Sequence, residues 1–259
     1  MSSAVLEGSV FAVAGLLIGS FLTVVVDRVP RRVSVVRPGS ACGTCRHELT
    51  PMELIPVFSW LFLRGRCRDC GAPIGIECVL IEIVTAGLFV ALGVRFDSNL
   101  TAAAFCVFAA ALVALTVIDI HTKRLPREVT YTAIALGCPV LVVAALADEA
   151  PQRIWMALLG AVIATAVMAL LYAVSRGGMG DGDVRLSPLL GLYLGWLNPG
   201  IAPLGLLVGF LIGAVVGVVM MVLGRAGRRT AIPFGPSLAA GALIAVWIGQ
   251  DLVDLVLAR

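Results

Sequence analysis

Histidine is nearly absent from this chain and charge is scarce. Only His47 and His121 are present, so neither a histidine-based triad nor a multi-histidine metal site finds support. Charged residues make up 14% of the 259 residues, against roughly 25% in an ordinary soluble domain. The apolar fraction is 60%, where about 45–50% is usual, and mean hydropathy is +1.03. These values exclude a single large soluble core and describe a polytopic membrane protein. The net charge of +3 says little by itself, and no nucleic-acid partner is expected. No cleavable signal peptide is expected either. Glu7, and no basic run, precedes the first apolar stretch, and no small-residue cleavage site follows it.

What the chain does have is a succession of apolar runs. With roughly 20 residues per span as the guide, eight are expected, at about 8–27, 77–94, 100–118, 129–147, 153–174, 184–198, 200–223 and 231–257. The sixth is short and rich in glycine and leucine. One such run could be a buried helix of a soluble protein, but eight in succession are not. Basic residues orient them. Arg28 to Arg68, Lys123 to Arg127, Arg176 with Arg185, and Arg225 to Arg229 fall in alternate loops and hold 16 of the 19. Arg95, Arg153 and Arg259 are left for the other side. The basic loops are therefore expected in the cytoplasm and both termini outside.

Only residues 28–75 form a polar segment long enough to fold outside the bilayer. It carries Cys42-x-x-Cys45 and Cys67-x-x-Cys70, with 21 residues between the pairs, close to zinc-ribbon spacing. Gly43, Gly65 and Gly71 suit the tight turns of such knuckles. Two disulfides are the rival reading, but cytosolic thiols are kept reduced. A segment this small also needs a staple. A four-cysteine zinc site with a structural role is thus favoured, because four protein ligands leave no position for water. His47 could replace a ligand, yet four cysteines suffice. Cys78, Cys106 and Cys138 read as small core residues. The expected fold is all-α and polytopic, with about eight transmembrane helices and a small cytoplasmic zinc-ribbon-like insert between helices 1 and 2. Its parts are residues 1–27, a first transmembrane helix; 28–75, the four-cysteine segment; and 76–259, a transmembrane domain.

Two aspartates sit just past apolar runs. Asp119 lies in Val117-Ile118-Asp119-Ile120, and Asp183 in Gly178-Met179-Gly180-Asp181-Gly182-Asp183-Val184. Ionisable residues at membrane depth are costly and point to function. Two aspartates sharing one proton are the minimal kit for cutting a peptide bond with activated water. The glycines allow a broken backbone that could line a cavity and admit water and an extended substrate. The bland readings are solvated turn aspartates, chiefly for Asp181, and N-capping for Asp183. Pro126 should end or restart a helix after Asp119. His121 could tune Asp119 or be an interfacial polar residue. A proton-coupled transporter using Asp119, Asp183 and Glu82 is one rival, but it calls for mid-span carboxylates and an inverted repeat, which is not seen. A zinc-ribbon membrane scaffold is another, and it leaves the paired aspartates unexplained.

Taken jointly, these residues resemble the type IV prepilin leader peptidases, membrane aspartyl proteases with a Gly-x-Gly-Asp motif. The resemblance runs through Gly19-Ser20-Phe21-Leu22-Thr23-Val24-Val25, Arg28-Val29-Pro30, both CxxC pairs, and Ile55-Pro56-Val57-Phe58-Ser59-Trp60-Leu61. It continues through Arg64-Gly65-Arg66-Cys67-Arg68, Glu82, Asp119, Gly180-Asp181-Gly182-Asp183 and Ile232-Pro233-Phe234-Gly235-Pro236. Gly178-Met179-Gly180-Asp181 also fits the motif, but Val184-Arg185-Leu186 makes Asp183 the better match. Thr23 stands where the family has asparagine, and Leu125-Pro126-Arg127 where it has Leu-Pro-Asp. The resemblance implies a multi-pass enzyme of the inner (cytoplasmic) membrane with Asp119 and Asp183 catalytic and facing the cytoplasm. Its substrates would be type IV prepilins or pseudopilins, each a short basic leader before an apolar helix, cut after a glycine. It further implies zinc on Cys42, Cys45, Cys67 and Cys70, and methylation of the new amino terminus with S-adenosylmethionine. That methyl transfer rests on the resemblance alone, since residues 28–75 contain no GxGxxG. A peptidase without methyl transfer is the alternative. Membrane lipid is the remaining expected partner.

Overall fold

A computed structural model describes residues 3–175, 178–224 and 233–257. Arg176, Gly177, Arg225, Arg228, Arg229, Ile232 and Arg259, all used in the sequence reading, lie outside the described residues. The described residues are helical, with no strand beyond isolated bridges. The helices are α1 (Ser3–Arg28), α2 (Phe58–Phe62), α3 (Glu77–Arg95), α4 (Asn99–Thr122), α5 (Arg127–Ala147), α6 (Gln152–Ser175), α7 (Asp181–Leu197), α8 (Ile201–Val222) and α9 (Gly235–Leu257). The all-helical expectation and its spans hold closely. Pro126 stands at the N-cap of α5, where its fixed φ suits a helix start. One span differs in kind. Seven helices among the described residues are long and apolar enough to cross a membrane, and the remaining expected span, the sixth, is α7, with 17 residues. At about 1.5 Å per residue α7 is shorter than the roughly 30 Å hydrocarbon core.

The chain divides into two compact units, Met1–Ala102 and Ala103–Arg259. In the first, α1 lies against α3 through small residues, the usual means by which membrane helices approach closely. A Cβ on Gly15 would fall 2.5 Å from Ala86 Cα, and one on Gly19 2.7 Å from Glu82 Cα. The four-cysteine segment connects these two helices.

In the second unit α7 is the hub. From Leu186 to Trp196 every residue but Pro188 is buried, Ser187 included. It meets α6 backbone to backbone: a Cβ on Gly191 would strike the Gly160 carbonyl, and would lie 2.6 Å from Ala164 Cβ. Tyr193 fills the other side, stacked on Phe108 at 4.5 Å and edge-on to Phe105 at 5.2 Å, both from α4. A short helix sheathed in this way from Leu186 to Trp196 need not match the bilayer, because neighbouring helices cover that stretch.

Candidate active site

Within the second unit three helix ends converge. Asp119 lies in the last turn of α4, which stops where Lys123 turns to φ 52° and its N–H bonds the Asp119 carbonyl at 2.8 Å. Asp119 is 4% exposed. Its Oδ2 accepts the Gly235 N–H at 2.8 Å, and the carboxylate also accepts from the Phe234 backbone. These donors stand at the start of α9, where free amides and the helix dipole favour an anion. Gly235 leaves no room for a side chain, since a Cβ there would lie 2.9 Å from both Asp119 Oδ2 and Leu125 Cδ2.

Asp183 occupies the third position of α7 and is 7% exposed. It accepts from the backbone of Gly180, the N-cap residue, as a capping-box acid does. Asp183 is thus not the N-cap residue considered from the sequence; that position is Gly180, and Asp183 reaches back to it from inside the helix while being buried. Asp119 lies within electrostatic reach of Asp183. Leu125 lies between the glycines that neighbour the two aspartates: a Cβ on Gly182 would lie 3.0 Å from Leu125 Cβ, and one on Gly235 2.9 Å from Leu125 Cδ2. Asp181 turns the other way: its side chain is 66% exposed and pairs with Arg185 at 2.7 Å, one helical turn on. Arg185 thus engages Asp181 and does not turn toward Asp183. His121 is exposed. The sequence reading missed Gly235 and Leu125 as site residues. Their signals were the Pro-Phe-Gly-Pro stretch and the departure from Leu-Pro-Asp.

The second site candidate belongs to the first unit. The Sγ atoms of Cys42, Cys45, Cys67 and Cys70 all lie within 4.8 Å of one another. Cys42 faces Cys70 at 3.8 Å and Cys45 faces Cys67 at 3.9 Å. Thiolates about 2.3 Å from a tetrahedral zinc stand roughly 3.8 Å apart, so the set fits such an ion. Two matching knuckles build it. The Cys42 N–H bonds the His47 carbonyl as the Cys67 N–H bonds the Ala72 carbonyl, each at 2.8 Å. Arg46 and Gly71 take the same position, with φ 62° and 69°. Gly65 and Gly71 bear out their expected turn role, but Gly43 has no positive φ; Arg46 supplies the left-handed residue instead. His47 is no ligand. Its Nδ1 meets Asp69 at 2.9 Å and its Nε2 meets Glu53 at 3.3 Å, tying the first knuckle to the second. The Thr50 backbone N–H, then its hydroxyl, hold the Glu53 carboxyl down at about 2, so that partner stays charged. Backbone N–H groups of Cys45 and Thr44 pull the Cys42 thiol down to about 6, whereas Cys45 is pushed up to about 12, the pull of the His47 backbone being outweighed by desolvation and the neighbouring thiols, so the four thiols share their charge as a set.

Glu82, also in the first unit, is 6% exposed. It accepts the Val57 N–H at 2.7 Å and bonds the Ser20 side chain. Val57 centres a γ-turn with φ 62° and ψ −50°, closed by Phe58 N–H to the Pro56 carbonyl at 2.6 Å.

These features define an integral membrane protein with two buried aspartates at adjoining helix ends and a separate four-thiol cluster. Residues 13–96 match the family model for the bacterial peptidase A24 N-terminal domain, and residues 106–221 that for the type IV leader peptidase family. Three relatives named prepilin leader peptidase/N-methyltransferase are similar over most of the chain. The Bacillus subtilis protein is 34% identical over 95% of this chain and 96% of its own. The Pseudomonas aeruginosa protein is 34% identical over 92% and 89%, and the Myxococcus xanthus protein 40% over 86% and 67%. The chain belongs to the type IV leader peptidase family. No solved structure matches it significantly.

Proposed function

We propose that this protein removes the leader from type IV prepilins or pseudopilins, cutting after a glycine at the cytoplasmic face of the inner membrane. The observation that carries this reading is the pair of buried aspartates at the ends of α4 and α7, one of them gripped by the first amides of α9. One carboxylate takes a proton from the attacking water. The other, protonated, polarises the scissile carbonyl and later returns its proton to the leaving amine. The proton belongs to the pair, so the roles are assigned to the pair and not to either residue. Gly180 and Gly182 keep the backbone beside Asp183 bare, which suits an extended substrate passing close to it. The basic loops agree with a cytoplasmic site.

The four cysteines would hold one zinc ion with a structural role, because a closed thiolate shell offers water no coordination position. The relatives' shared name adds N-methyl transfer, and we extend it to this chain, with S-adenosylmethionine as donor. Residues 28–75 form knuckles, a single 3-10 turn and a five-residue helix. This is no Rossmann-type donor fold, and no residue is assigned to the donor. A transporter is not favoured: Glu82 is engaged by Val57 and Ser20 of its own unit.

Co-expression with a prepilin, read by the gel shift of leader loss, tests the peptidase. Asp119→Asn and Asp183→Asn should each lower processing by about 10² or more, while Asp181→Asn keeps most of it. Full processing by Asp183→Asn, with loss in Asp181→Asn, would reverse the assignment. Mass spectrometry of the mature pilin separates peptidase alone from peptidase with methylation.

A further inference from the structure

The four-cysteine segment carries an apolar face that the peptidase reading does not use. In α2, Phe58, Leu61 and Phe62 lie at i, i+3 and i+4 and are 57%, 57% and 87% exposed. Met52, Leu54 and Ile55, just before them, are 77%, 43% and 45% exposed. The opposite face is anchored. Trp60 turns inward, its indole N–H bonds the Ile74 carbonyl at 3.1 Å, and a Cβ on Gly65 would meet its ring at 2.8 Å. The short helix is therefore amphipathic and fixed in rotation, with its apolar side outward.

Two further observations say what covers that side. The first is depth. The turn before α2 is tied to Glu82 through the Val57 N–H, and Glu82 lies five residues into α3, a span apolar enough to cross a membrane. Five residues are about 7.5 Å of helix rise, and the apolar faces of interfacial helices sink about 5–10 Å below the headgroups. Around that level Leu80, Ile83 and Val84 of α3 are themselves about half exposed apolar residues, as expected where lipid is the solvent. The second is charge. Arg64, Arg66 and Arg68 follow α2 directly and are all exposed. Apolar residues edged by arginine match acyl chains edged by anionic headgroups. A basic prepilin leader would be repelled by the same arginines.

We propose that residues 52–62 are an in-plane membrane anchor: Met52, Leu54, Ile55, Phe58, Leu61 and Phe62 dip into the lipid leaflet beside α3, and the arginines after them bind anionic headgroups. The four-thiol cluster is then held at the bilayer surface and not hung from two flexible linkers. The reading does not depend on which reaction the enzyme performs.

The test is photocrosslinking in the full-length protein, with benzoylphenylalanine replacing Phe62, an exposed position that tolerates it. The protein is reconstituted in vesicles of phosphatidylethanolamine and phosphatidylglycerol, with prepilin present. The adducts are identified by mass, alongside benzoylphenylalanine at lipid-facing Leu211 and buried Phe105 as references. Lipid adducts at Phe62 in yield comparable to Leu211 are expected. In Arg64→Gln/Arg66→Gln protein the share of phosphatidylglycerol among them should fall about threefold, as loss of headgroup attraction requires. Adducts to prepilin, adducts to another part of this chain, or no adducts at all would each overturn the proposal. An unchanged phosphatidylglycerol share would overturn the assignment of the arginines.

Discussion

Gly235 is the residue on which the site geometry turns. It donates to Asp119 while leaving no space for a methyl group. Gly235→Ala should therefore fold and insert normally, yet lower prepilin processing by about tenfold, since the Asp119 carboxylate must give way by about half an ångström where a misplacement of about 1 Å costs roughly 10²-fold. Processing at the wild-type rate, with the variant present in the membrane at equal amount, would show that Asp119 does not depend on this contact. The two aspartates were legible in the sequence because a carboxylate in an apolar run is conspicuous on energetic grounds. Gly235 and Leu125 were not. A glycine and a leucine carry no chemistry by type, and Gly235 reaches Asp119 across 116 residues of chain. Val57 was hidden for a different reason, since a β-branched residue is a poor candidate for positive φ until a buried carboxylate claims its N–H.

At the scale of elements, the two knuckles follow from spacing, and the sequence revealed them for that reason. Cys-x-x-Cys admits few turns, and two copies make a tetrahedron. Which residue takes the left-handed position was less legible, because Arg46 does in the first knuckle what Gly71 does in the second. Purified protein should carry about one zinc per chain, and Cys67→Ser should lose it and become protease-sensitive between residues 40 and 75. Two disulfides and no metal in protein kept under cytosolic redox conditions would contradict the site. The α6–α7 contact gives a second expectation. A side chain on Gly191 meets the α6 backbone at Gly160 and Ala161, which cannot move aside. Gly191→Leu should destabilise the second unit by at least about 1–3 kcal/mol, seen as a lower melting temperature in detergent. That α7 is a buried hub and not an ordinary span was foreshadowed only by its short run of glycine and leucine.

The molecule as a whole was read from its periodic apolar runs and the side its arginines favour, and both signals come from the bilayer acting as solvent. Reporter fusions test the orientation directly. A phosphatase fused after Asp97 or Asp148 should be active outside the membrane, and one fused after Gly71 or Lys123 should be silent. The reverse pattern would place both aspartates on the wrong side for a leader made in the cytosol. The paired knuckles also bear on how the protein is made. Each brings two thiols, so the first to leave the ribosome cannot close the cluster alone, and an ion held as proposed would have to wait for Cys70. Glu82 emerges only twelve residues later, needing a Val57 amide that the folded segment presents. A metal site of the kind proposed above would therefore be complete only once the chain has been made through Cys70, before the whole of α3 has followed. With zinc scarce, the segment that presents the Val57 amide would lose the brace proposed for it, and Glu82 of α3 would be the carboxylate left to find another donor.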